Sequence, residues 1–148
     1  LDRLLGTEYT PNETYMLATE INIKVNAIIN HFKLTANVAI PDRSTKSPRD
    51  VFMASIALYD VLKKARVRAN IKSKIIIIPV EDKITPNSVY NALRIITASI
   101  NSFNIHYGIV IPDKICSNTV TGKTPTDVYK LITQASNKLN GLFTDENY

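Results

Sequence analysis

His31 and His106 are the only two histidines of the chain. Imidazole is the side chain that carries acid–base chemistry near neutral pH, and it is a common ligand for zinc. Each histidine stands twenty residues past a proline, Pro11 or Pro86, and each is followed by an aromatic ring, Phe32 or Tyr107. Two equivalent imidazoles therefore define one candidate metal-binding or proton-transfer pair. No Asp or Glu stands in matching register to complete a ligand set. The plainer role is that a histidine in the last turn of a helix hydrogen-bonds the final carbonyls and suits the negative end of the dipole.

A second candidate is cationic. Lys63, Lys64, Arg66, Arg68, Lys72 and Lys74 fall within residues 63–74 with no acid among them, in a chain of net charge +5. Such a tract grips the phosphates of nucleic acid by counterion release, or the headgroups of anionic lipid through their surface potential. It lacks interleaved aromatics for stacking bases and any groove-reading motif. The competing reading is a solvated helix end that carries its cations where the dipole favours them.

Other chemistries find no foothold. Nucleophile elbow, dinucleotide fingerprint, calcium loop and zinc-helix motif are all absent from the sequence, so neither catalysis nor a cofactor is expected. Gly122-Lys123-Thr124 has the tail of a phosphate loop, but Ser117 stands where its first glycine belongs. Asn12-Glu13-Thr14 fits the glycosylation acceptor pattern by its letters alone. Cys116 is the only cysteine, which excludes an internal disulfide and a cysteine-based zinc site.

The elements that position these residues follow from one short pattern met four times. Thr10-Pro11, Ser47-Pro48, Thr85-Pro86 and Thr124-Pro125 each precede Glu13, Asp50, Ser88 or Asp127 two residues past the proline. A hydroxyl that caps the first amides, a proline in the first turn and a reciprocating acid or hydroxyl make a helix start. The prolines stand 37, 38 and 39 residues apart, a period that marks a repeated supersecondary unit. Taken at the third, seventh, tenth, fourteenth and seventeenth residue past each proline, the first unit reads Thr14, Ala18, Ile21, Val25, Ile28 and the second Val51, Ser55, Leu58, Leu62, Ala65. The third reads Val89, Leu93, Ile96, Ile100, Phe103 and the fourth Val128, Ile132, Ala135, Leu139, Leu142. Alternating steps of four and three put these residues on one helical face.

The expected fold is therefore all-α: a four-helix bundle of four repeats in one domain, residues 1–148, with helices over 11–32, 48–68, 86–106 and 125–143. The fourth residue past each proline is a ring, Tyr15, Phe52, Tyr90 or Tyr129, expected as a wedge closing the end of the bundle. A shared ligand cage is the functional alternative for these rings. The linking segments contain alternating β-branched stretches that end in Ile40-Pro41, Ile78-Pro79 and Ile111-Pro112, and they exceed what an up-and-down bundle needs. Parallel and antiparallel helix orders both remain open, and an α/β repeat with short parallel strands is the alternative fold. The first and third units share Thr-Pro-Asn and the His-aromatic pair, while the second and fourth share an acid followed by valine and a ring, as a duplicated helix pair would.

No apolar run is long enough to span a bilayer. The chain opens on Leu1 rather than Met, as expected of a processed or trimmed product. The sequence leaves the compartment open, with a periplasmic or envelope location as the expectation. The first functional expectation is a non-catalytic binding or scaffold domain for a protein or small ligand. Binding of nucleic acid or an anionic surface through 63–74 comes second, and a metal protein or enzyme using His31 and His106 third.

Overall fold

The computed structural model describes residues 10–34, 44–72, 76–80, 82–111 and 121–144. Four helices account for most of them: α1 (Pro11–Phe32), α2 (Pro48–Arg68), α3 (Pro86–Tyr107) and α4 (Pro125–Thr144). The last two run one residue past the expected ends. No strand occurs among the described residues, which argues against the α/β alternative. Ile40, Pro41, Lys74, Pro112 and Cys116 lie outside the described residues.

Each helix begins where hydroxyl and proline stand together. At α2 the Asp50 amide donates to Ser47 Oγ at 3.3 Å and the Ser47 amide donates to Asp50 Oδ2 at 2.8 Å. The same exchange joins Thr124 with Asp127 at 3.4 and 2.9 Å, and Thr85 with Ser88 at 3.3 and 3.2 Å. At α1 the Thr10 amide donates to Glu13 Oε1 at 3.2 Å, while Thr10 Oγ1 accepts from the Asn12 amide at 3.2 Å. These exchanges satisfy amides that have no partner inside a helix.

The helix ends share a second device. Lys33, Asn70 and Gly108 take left-handed φ of 56°, 61° and 64°, each twenty-two residues past its proline. The next residue then donates its amide back over five: Leu34 to the Ile29 carbonyl at 3.0 Å, Ile71 to Arg66 at 3.0 Å, Ile109 to Asn104 at 2.9 Å. Leu34 is buried, and Ile71 and Ile109 pack on the core. A left-handed stop followed by a buried apolar residue is the Schellman ending.

Helix α1 packs against α3 and α4, and α2 packs against the same two, so α1 faces α2 across the core and α3 faces α4. All four helices start at the same end. Pro11, Pro48, Pro86 and Pro125 together rim one apolar pit whose floor is Thr14, Val51, Val89 and Val128. The bundle is therefore parallel, and each linking segment carries the chain back along its length. A helix of this size is about 33 Å long at 1.5 Å per residue. Residues 33–47, the shortest link, can extend to roughly 50 Å. On the second link the Tyr59 hydroxyl donates to the Ile76 carbonyl and Ile78 is buried, so the returning chain lies against α2.

Because the helices start level, residues equally far from their prolines stand at one height. The twenty seam residues named from the sequence form the interior, and none is more than 3% exposed. Steps of three and four along parallel helices are the packing geometry of a coiled coil. Polar side chains flank that interior and cross between helices at matching heights. Lys24 Nζ donates to Asn101 Oδ1 at 2.7 Å and Lys138 Nζ to Asn26 Oδ1 at 2.8 Å. In both cases a lysine thirteen residues past one proline meets an asparagine fifteen past the next.

Candidate functional site

A parallel bundle has two unlike ends, and the sequence-predicted residues divide between them. The starting end offers few free donors. Four prolines there have no amide hydrogen, and the capping exchanges engage the amides of Asp50, Ser88 and Asp127. The pit between the prolines, with a volume of about 20 Å³ and open to solvent, is lined by prolines, valines and Thr14. Thr14 Oγ1 turns to the Pro11 carbonyl at 3.0 Å.

The four first-turn rings do not line that pit. Phe52 is buried, whereas Tyr15, Tyr90 and Tyr129 are half-buried. Two of them receive a lysine from the lead into the neighbouring helix. Lys46 Nζ stands 4.6 Å from the Tyr129 ring centre and its amide donates to Thr126 Oγ1 at 2.9 Å. Lys123 Nζ stands 4.4 Å from the Tyr15 ring and its amide donates to Asn12 Oδ1 at 2.9 Å. Each lead thereby clamps the first turn of the next helix around the bundle, using cation–π attraction and a hydrogen bond. The Ser47 amide and hydroxyl hold the Asp50 carboxyl below the usual carboxylate range, helped by Lys46 and Arg49. The Thr124 amide does the same for Asp127, partly opposed by burial and assisted by the Thr124 hydroxyl, Lys123 and Lys130.

At the other end the structure brings the two histidines around one ring. The Tyr107 ring centre lies 6.3 Å from His31 and 4.9 Å from His106, and it also meets Phe32 at 5.0 Å and Phe103 at 4.9 Å. Both imidazoles are exposed. Among the described residues no group of three His, Cys, Asp or Glu is placed to hold a metal ion.

The basic tract is divided by the helix it lies on. Arg66 is 4% exposed and its Nη1 donates to Ser99 Oγ on α3 at 3.3 Å. Arg68 Nη1 donates to the Leu142 carbonyl near the end of α4 at 3.1 Å. Lys63 pairs with Asp60 at 3.1 Å and lies 5.2 Å from the Tyr59 ring centre. Lys64 and Lys72 are exposed, and Lys74 is outside the described residues.

Parallel alignment adds what the linear tract does not show. Lys33, just past the end of α1, stands level with the tract on α2, and Lys24 of α1 and Lys138 of α4 stand thirteen residues past their prolines, two residues short of its start. Of the acids among the described residues, Glu13, Glu20, Asp50, Asp82 and Asp127 stand nearer the starting end, and Asp60 stands just past the middle of α2. Glu20 and Asp60 are the nearest, pairing with Lys24 and Lys63. Four helix ends contribute about two negative charges in all, at roughly half a charge each. Among the described residues, Lys24, Lys33, Lys63, Lys64, Arg66, Arg68, Lys72 and Lys138 outnumber the dipole charges and both pairing acids together in the far half of the bundle.

No helix is long and apolar enough to cross a membrane among the described residues. Comparison of the chain with protein-family models, with curated proteins and with solved structures gives no match in any of the three.

Proposed function

We propose that the chain is a non-catalytic binding module made of four units of 37 to 39 residues, which presents its cationic end to an anionic partner. Equivalent caps, equivalent seam positions and three endings at the same distance from their prolines support descent from one unit. The observation that carries the binding role is the excess of cations over acids among the described residues in the far half of the bundle. A bundle selected only to fold gains from cations at its helix ends up to the strength of the dipoles, and the surplus beyond that repels itself. A partner that neutralises the surplus accounts for it.

Elution from immobilised heparin, a generic polyanion, tests this reading. Replacing Lys33, Lys64 and Lys72 by Ser removes three exposed cations from the far end. Replacing Arg49, Lys83 and Lys130 by Ser removes three exposed cations nearer the starting end. The first variant is expected to elute at clearly lower salt than the parent and the second close to it, because each lost contact lowers the salt slope by about one. Equal shifts for the two variants contradict an end-specific site.

A further inference from the structure

The far end of the bundle also carries aliphatic side chains in water. Val67 is 69% exposed, Ile105 80% and Val110 87%. Val67 and Ile105 each stand nineteen residues past their prolines, in the last turns of α2 and α3, and Val110 follows two residues after the left-handed Gly108. Lys64 lies one turn before Val67, and Lys72 follows one residue after the α2 ending is closed by Ile71. Lys33 stands at the corresponding ending of α1. Cations and exposed aliphatics are therefore gathered at one end of the bundle.

We propose that this end docks on a bilayer surface containing anionic lipid, with the lysines at the headgroups and Val67, Ile105 and Val110 entering the acyl boundary. The inference rests on the binding reading above and names its partner. Headgroup attraction and shallow apolar insertion are the two forces that hold a peripheral protein on a membrane. Nucleic acid rewards the lysines equally but gives nothing for three aliphatic side chains. A single strand also calls for rings free to stack. The rings here pack edge to face on each other instead, Tyr107 at 85° to Phe32 and 86° to His106. Met53, Ile76, Ile77 and Val80 are exposed as well, but Met53 lies in the second turn of α2 and the others on the returning link. Met53 thus supplies an internal control.

Flotation with vesicles of phosphatidylcholine, with and without phosphatidylserine, decides the matter beside mixed-sequence duplex DNA and single-stranded RNA at the same salt. The chain is expected to float with the serine-containing vesicles and not with phosphatidylcholine alone. Loss of Lys33, Lys64 and Lys72 to Ser weakens this about 100-fold, near fivefold for each charge. Val67→Ser, Ile105→Ser and Val110→Ser together weaken flotation roughly tenfold or more, while heparin elution stays at the parent position. The chain has no tryptophan, so Val110→Trp reports insertion directly. Its emission moves to the blue on serine-containing vesicles, and that of Met53→Trp does not. Circular dichroism melts of the serine variants establish that they fold, as substitution at exposed sites predicts.

Absence of flotation with end-specific heparin elution intact overturns the lipid partner and leaves the binding reading standing. Loss of end specificity on heparin removes that reading. DNA or RNA bound as tightly as the vesicles, or flotation unaffected by the aliphatic substitutions, also overturns the proposal.

Discussion

Ser47 and Asp50 show how much one side chain decides at a helix start. The serine hydroxyl accepts an amide and the carboxylate accepts two donors, the Ser47 amide and hydroxyl, within one turn. Ser47→Ala is expected to lower stability by about 1 kcal/mol, the usual worth of such a cap, as a shifted urea midpoint reports. The paired acid makes the start sensitive to pH. A carboxyl whose folded pKa lies below its unfolded value stabilises the fold above the unfolded pKa of about 3.9 and stops doing so as pH falls through the folded one. Asp50 and Asp127 are of this kind. Below about pH 4 the parent should lose stability faster than an Asp50→Ala, Asp127→Ala double variant, in urea titrations across pH. Identical slopes contradict the capping role. The Thr85 and Ser88 box at α3 has no carboxylate, so that start keeps its cap in acid.

At the scale of the helix, the endings are set by backbone conformation rather than residue type. Gly108 has φ +64°, and a methyl group added at its Cα would meet no atom within 4 Å, so Gly108→Ala brings no clash and only the backbone penalty. That penalty is about 1 kcal/mol, measurable as a lower melting temperature, and an unchanged one contradicts the left-handed ending. The starts are legible in the sequence because hydroxyl, proline and acid each act through their own chemistry. The endings are harder to read because Lys33, Asn70 and Gly108 share only a dihedral angle. Their signal is the apolar residue after each, Leu34, Ile71 and Ile109, at constant distance from the proline. The seam is legible throughout, since burial selects residue type and spacing together. Leu93, fully buried on it, is expected to cost about 2–5 kcal/mol when replaced by Ala, read from urea unfolding.

For the whole molecule the decisive property is helix direction, and the seam does not encode it, because steps of three and four read the same both ways. Direction shows in the level contacts, Lys24 with Asn101 and Lys138 with Asn26, and in the four prolines meeting at one pit. From it follow the proline-rimmed starting end, the histidines around Tyr107 and the gathering of described cations toward the other end. The candidate site is only partly readable in sequence for that reason: the tract on α2 is local, but its neighbours Lys24, Lys33 and Lys138 join it through topology. Distances between paired spin labels, in a Cys116→Ser background, test this direction most directly. Labels at Asn30 and Ile105, both exposed near the ends of α1 and α3, should lie within about 20 Å, as neighbouring parallel helices require. Labels at Asn30 and Arg49, at opposite ends, should lie about 30 Å apart or more. The reverse order, a long first distance and a short second one, contradicts the parallel bundle.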